Sequence, residues 1–140
     1  MLKVVYDTNL IVSAALKKES LPALLLSLAL EDKVRLFISP ALIKEYEEVL
    51  KRPRFKLGHN EIMELIEEIN QKATIVKPTK KLDIITEDEA DNRILECALK
   101  AKADFIITGN KKHFRFERFK GIRIITPKEF MDEIGKDIIS

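Results

Sequence analysis

A chain of 140 residues with 46% hydrophobic residues suits one compact domain with a real core. Charged residues reach 34%, yet the formal net charge is only +2, so the balance is mildly basic and names no partner by itself. The lone Cys97 excludes an intrachain disulfide and a cysteine-cluster zinc site, and the two distant histidines, His59 and His113, argue against a histidine zinc site.

Residues 2–6 read as a strand with no signal-peptide pattern ahead of it, so a cytoplasmic location is expected. The strand ends abruptly at Asp7-Thr8-Asn9. Helical segments follow at about 9–16 and 21–31, broken near Ser20-Leu21-Pro22. The apolar run from Leu21 to Leu30 is too short to span a bilayer, and no membrane association is expected. Val34 to Ile38 form a second strand. Ser39-Pro40 places an N-cap residue before a first-turn proline and opens a helix that Arg52-Pro53 stops.

A further helix from about Asn60 to Lys72 carries the stripe Ile62, Leu65, Ile66 and Ile69. Thr74-Ile75-Val76 is a short strand, and Pro78 to Asp83 a basic loop. Thr86-Glu87-Asp88-Glu89 fits a capping box for a helix running to about Lys102. Phe105 to Thr108 is a strand ending at Gly109-Asn110, and Ile122 to Ile125 another. Thr126-Pro127-Lys128-Glu129 opens a last helix. Strands alternating with helices imply a three-layer α/β/α sandwich around a mainly parallel sheet. Residues 1–140 are expected to form a single domain.

In such a sheet, ligands bind outside the carboxyl ends of the strands. Asp7 and Asn110 each stand at one such end. Glu45 lies three residues after Leu42 and four before Val49, so helical spacing turns it toward the apolar face. Asp91 precedes Ile94 and Leu95 by the same intervals, in the first turns of its helix. Carboxylates turned inward need a cation, a hydrogen-bond network or a raised pKa. Three of them at one sheet rim offer hard oxygen donors that suit Mg²⁺ or Mn²⁺, and phosphodiester hydrolysis is the chemistry such an ion supports. Each acid also has a plainer reading. Asp7 opens a helix with good capping chemistry, Glu45 reads equally as a half-exposed helix residue if the helical phase is slightly different, Asp88 serves equally as an N-cap, and Glu87 and Glu89 complement a helix dipole.

Four segments in order match one family pattern. They are Val5-Tyr6-Asp7-Thr8-Asn9; Glu45-Tyr46-Glu47-Glu48-Val49-Leu50 before Arg52-Pro53-Arg54-Phe55; Asp88-Glu89-Ala90-Asp91-Asn92-Arg93-Ile94-Leu95; and Ala103-Asp104-Phe105-Ile106-Ile107-Thr108-Gly109-Asn110. The chain resembles PIN-domain ribonucleases, in particular the VapC-like toxins of toxin–antitoxin systems. The resemblance implies a PIN-like fold and a metal-dependent endoribonuclease that hydrolyses RNA with Mg²⁺ or Mn²⁺. Its three catalytic, metal-binding acids map to Asp7, Glu45 and Asp91. The fourth metal position falls on Asn110, whose amide carries no charge, and a weaker second metal site is the implied consequence. Asn9 and Asp88 map to supporting positions. A homodimer and a small antitoxin protein are the partners that the resemblance implies beside RNA.

After Asn110 come Lys111, Lys112 and Arg115, placed to meet an RNA backbone. Phe114, Phe116 and Phe119 interleave with these charges, and for at least two of them core or dimer packing is the favoured reading. His113 is not required as a base where a metal supplies the nucleophile. Two other functions compete. An Asp7 phosphatase is disfavoured because Asn9 stands where a second Asp is usual and no glycine-rich phosphate loop is present. A catalytically weak RNA-binding or scaffold domain of the same fold is favoured by Asn110 and opposed by Asp7, Glu45 and Asp91.

Overall fold

The computed structural model describes residues 1–79, 89–110, 114 and 117–139, without the side chains of 89–91 and 139. The first half alternates β1 (Lys3–Tyr6), α1 (Thr8–Leu16), α2 (Leu21–Leu30), β2 (Arg35–Ile38), α3 (Pro40–Leu50), α4 (His59–Lys72) and β3 (Thr74–Ile75). The second half holds α5 (Glu89–Ala101), β4 (Phe105–Ile107), β5 (Arg118–Phe119), β6 (Ile122–Ile125), α6 (Pro127–Phe130) and α7 (Lys136–Ile139). A π-helical turn, Met131–Gly135, joins α6 to α7.

The six strands run in the order β3-β2-β1-β4-β6-β5. All neighbours are parallel except β5 and β6. Val4, Val5 and Tyr6 of β1 and Phe105, Ile106 and Ile107 of β4 are all buried, so the sheet is covered on both faces. The flanking helices supply that cover. In particular, α5 packs on β1, β2 and β4, and α3 packs on α1, α4 and α5.

Local chemistry accounts for the boundaries. Ser20, Ser39 and Thr126 each accept a backbone N–H of the helix they open, and proline follows within the first two helical positions in all three cases. Thr126 and Glu129 form the expected capping box. On α4, Ile62, Ile66 and Ile69 are buried, while Leu65 packs at the margin of the core. The strand β5 departs from expectation. Lys120 (φ 48°) and Gly121 (φ 86°) turn the chain back at once, so that Phe119 pairs with Ile122. Two successive positive φ angles are the signature of a tight hairpin turn, and glycine takes the second without strain.

The packing of the phenylalanines follows the plainer expectation where it is described, since Phe114 and Phe119 are buried. Phe116 and residues 86–88 of the expected capping box lie outside the described residues, as do the side chain of Glu89 and most of the basic loop at 78–83. Cys97 is buried as expected.

Candidate active site

The chain runs from β1 to β2 and β3 on one side of the sheet, then crosses to β4 on the other. The gap between the carboxyl ends of β1 and β4 is therefore the topological switch point, where open parallel sheets bind ligands. Tyr6 pairs with Ile107, so Asp7 and Thr108 are the next residues out at that edge.

Asp7 is buried to 4% exposure. Its N–H donates to the Ile107 carbonyl at 3.0 Å, and its own carbonyl accepts the N–H groups of Leu10 and Ile11. It occupies the N-cap position of α1, yet its carboxylate makes no capping hydrogen bond. The Thr108 hydroxyl donates to Oδ2 of Asp7 at 2.6 Å instead. The capping alternative for Asp7 thus fails at the side chain, while Ser20, Ser39 and Thr126 show that capping serines and threonines elsewhere do bond their helices.

Glu45 lies on α3 and is half-buried. The fully covered stripe of this helix is Leu42, Tyr46, Val49 and Leu50, so Glu45 flanks the buried face rather than lying at its centre. The neighbouring Tyr46 is completely buried and donates its hydroxyl to the carbonyl of Tyr6, the residue before Asp7. That bond ties the helix carrying Glu45 to the end of β1. Burial holds the Tyr46 hydroxyl well above the ordinary phenol range, with further contributions from Cys97, Asp7 and Tyr6 close by. Tyr6 in turn donates to the Leu25 carbonyl at 2.7 Å, which ties α2 to the same strand.

Asn110 is half-buried just beyond β4, and its backbone N–H donates to Thr108 Oγ1 at 3.1 Å. Asn9 is exposed in the first turn of α1. Asp91 stands in the first turn of α5, the helix laid across β1, β2 and β4; its side chain lies outside the described set. Asp88, Lys111, Lys112 and Arg115 lie outside the described residues altogether, as does His113. The fold thus gathers Asp7, Asn110 and the α3 segment bearing Glu45 at one edge.

Among the described residues, no three acidic, histidine or cysteine side chains form a ready metal cage. The donor chemistry nevertheless fits a hard cation, because the side chains brought to this edge offer oxygen. Two buried polar atoms next in sequence to proposed ligands, Thr8 Oγ1 and Asn92 Oδ1, have no hydrogen-bond partner. Buried polar atoms of that kind are uncommon and mark places where a further ligand or water belongs. Glu96, by contrast, is a buried acid neutralised locally, 2.9 Å from Arg93 on the same helix. A cavity of about 240 Å³ opens at the carboxyl ends of β2 and β3, lined by Ser39, Lys77 and Glu96 among others.

A family model described as "PIN domain" matches residues 3–112. The chain belongs to the PIN-domain family. An uncharacterized protein of Methanocaldococcus jannaschii is 30% identical over 98% of this PIN domain and 94% of its own length. Among solved structures, VapBC2 from Rickettsia felis, bound to a fragment of promoter DNA, shares the fold with a TM-score of 0.62 at 17% identity, covering 89% of this chain and 98% of that one. DNA-bound VapBC from Salmonella typhimurium matches with a TM-score of 0.62 at 19% identity, covering 91% and 99%. These likenesses agree with the α/β sandwich described above. Among the described residues of this PIN domain, no helix is long and apolar enough to cross a membrane.

Two residues of the site escaped the sequence reading. Thr108 read only as the last residue of a strand, although a hydroxyl at a carboxyl strand end two residues from Asn110 was a usable signal. Tyr46 sat on the same apolar face as Leu42 and Val49, and a buried phenol requires an acceptor.

Proposed function

We propose that this PIN domain is a metal-dependent endoribonuclease that hydrolyses RNA phosphodiester bonds, with Asp7, Glu45 and Asp91 as its catalytic and metal-binding acids. The observation that carries the reading is Asp7. It is a buried carboxylate at the switch point, in a helix-capping position, that does not cap its helix. The Thr108 hydroxyl holds this carboxylate at 2.6 Å, and a buried carboxylate at a sheet edge that also offers other oxygen donors is the kind of donor set that Mg²⁺ or Mn²⁺ favours. When bound, the ion supplies an activated water and charge stabilisation for the phosphate. The chain's own residues do the rest: Asp7 and Asp91 hold the ion at the sheet edge, Glu45 approaches from α3, and Asn110 offers an amide carbonyl as a fourth donor. Asn9 and Asp88 support that shell, and Lys111, Lys112 and Arg115 meet the RNA backbone.

The biological role that fits is a toxin held in check by a small antitoxin, acting in the cytoplasm as a homodimer. The two VapBC neighbours support that role by fold. So does an open groove of about 220 Å³ whose mainly apolar lining, with Leu57 and Leu65, also carries Glu61, Glu64 and Glu68 against a single cation, Lys18. Apolar lining with acidic neighbours suits a basic amphipathic segment.

Asn110 favours a second reading, a PIN-fold RNA-binding or scaffold domain with little activity, because the fourth position lacks a charge. One experiment separates the two. Labelled RNAs of mixed structure are incubated with Mn²⁺, Mg²⁺ or EDTA, beside Asp7→Asn and Asp91→Asn. Metal-dependent cutting that either variant abolishes while remaining folded is the expected result. Full activity in either variant overturns the assignment, and no cutting with no Mn²⁺ binding selects the scaffold reading.

A further inference from the structure

The acid pattern explains why Asp7 is present but not what holds its carboxylate in place. The geometry points to Thr108 as the positioning residue of the metal centre, acting through Asp7; this rests on the nuclease reading above. Thr108 is completely buried, and its position is set by the sheet, because its backbone N–H donates to the Ile125 carbonyl at 2.9 Å. A β-branched side chain has few accessible rotamers, so the hydroxyl is aimed by the strand itself.

The direction of the two hydrogen bonds at this hydroxyl is fixed by chemistry. The Asn110 N–H can only donate, so Thr108 Oγ1 accepts there at 3.1 Å. The one hydroxyl proton is then committed to Asp7 Oδ2 at 2.6 Å. The chain of donors runs one way, from the Asn110 backbone through Thr108 to Asp7, and ends on an acceptor. It anchors one oxygen of Asp7 and so sets the orientation in which the carboxylate meets an ion. It also joins the first and fourth positions of the proposed acid set through a single hydroxyl. The link uses the backbone of residue 110, so it is indifferent to whether an asparagine or an aspartate stands there. Partners that orient a metal-binding carboxylate in this manner typically change metal affinity by about 10- to 100-fold when removed.

The test compares the wild-type chain with Thr108→Val, Thr108→Ala and Thr108→Ser, with Mn²⁺ alone as the probe. Binding is followed by calorimetry, and the folded state by far-ultraviolet circular dichroism and melting in EDTA. Thr108→Val keeps the shape and deletes the hydroxyl; Thr108→Ala carries the test if the valine does not fold. The expected result is a Kd for Mn²⁺ raised about 10-fold or more in the folded hydroxyl-free variant, with Thr108→Ser restored to within about 3-fold of wild type. A purely packing role gives the opposite pattern, since serine lacks the methyl group and valine retains it. Equal Mn²⁺ affinity in wild type and a hydroxyl-free variant overturns the inference and leaves the nuclease reading standing. A wild-type chain that binds no Mn²⁺ overturns both.

Discussion

Alkaline pH is expected to unfold this protein in a way set by its buried acids. Burial pushes the Cys97 thiol from an ordinary 9.0 up to about 12, against a small opposing contribution from its hydrogen bond with Ser39. In the unfolded chain the thiol ionises near its ordinary value, while in the folded chain it keeps its proton. The stability linked to Cys97 is therefore fully present below about pH 9 and is lost progressively up to about pH 12. Holding a proton across one pH unit is worth about 1.4 kcal/mol, so this one group removes about 4 kcal/mol across the window. That is a large part of the 5–15 kcal/mol that typical domains possess. The Tyr6 and Tyr46 hydroxyls are raised in the same direction by burial, and they join the loss above about pH 10. The dependence should steepen there from about one proton to about three. Urea midpoints measured from about pH 7 to about pH 11, for wild type and Cys97→Ala, read these slopes directly. A wild-type midpoint that stays flat through about pH 10, or a Cys97→Ala curve as steep as wild type between about pH 9 and 10, refutes the reasoning.

Removing the Tyr46 hydroxyl as Tyr46→Phe should cost about 1–2 kcal/mol in urea unfolding, because the bond to the Tyr6 carbonyl is lost inside the core. A cost within error of zero would mean that this bond does not hold α3 against β1. Replacing Ser39 by alanine removes the cap of α3, whose Oγ accepts the Leu42 N–H at 3.1 Å in a buried position. About 1–2 kcal/mol of stability should go with it; an unchanged melting temperature would show that water or a neighbour replaces the cap.

The layered α/β architecture was legible because its signals are periodic. Short apolar strands stop at Asp7, Ser39 and Asn110, and the helices begin with strong caps, so strands and helices alternate visibly in the sequence. The elements that escaped are aperiodic. β5 spans only two residues and exists because Lys120-Gly121 forces a turn. The π-helical turn at 131–135 leaves no mark in composition. In the candidate site, the strand ends located Asp7 and Asn110, because position alone suffices there. Glu45 shows the cost of counting only aliphatic residues on α3: once Tyr46 joins the buried stripe, the glutamate moves to its flank. Thr108 offered only its place at a strand end two residues from Asn110, since its partner stands 101 residues away.

That separation also bears on how the protein comes into being. β1 is made well before β4, one of its two sheet neighbours, and the Asp7 carboxylate finds its hydroxyl only after residue 108 has left the ribosome. Contacts between such distant segments form late and slowly, because a long loop must close before they repay its entropy. A partly synthesised chain therefore carries Asp7 and Glu45 but no assembled centre. If the domain cuts RNA, the order of its strands keeps it harmless while it is still attached to the message that encodes it.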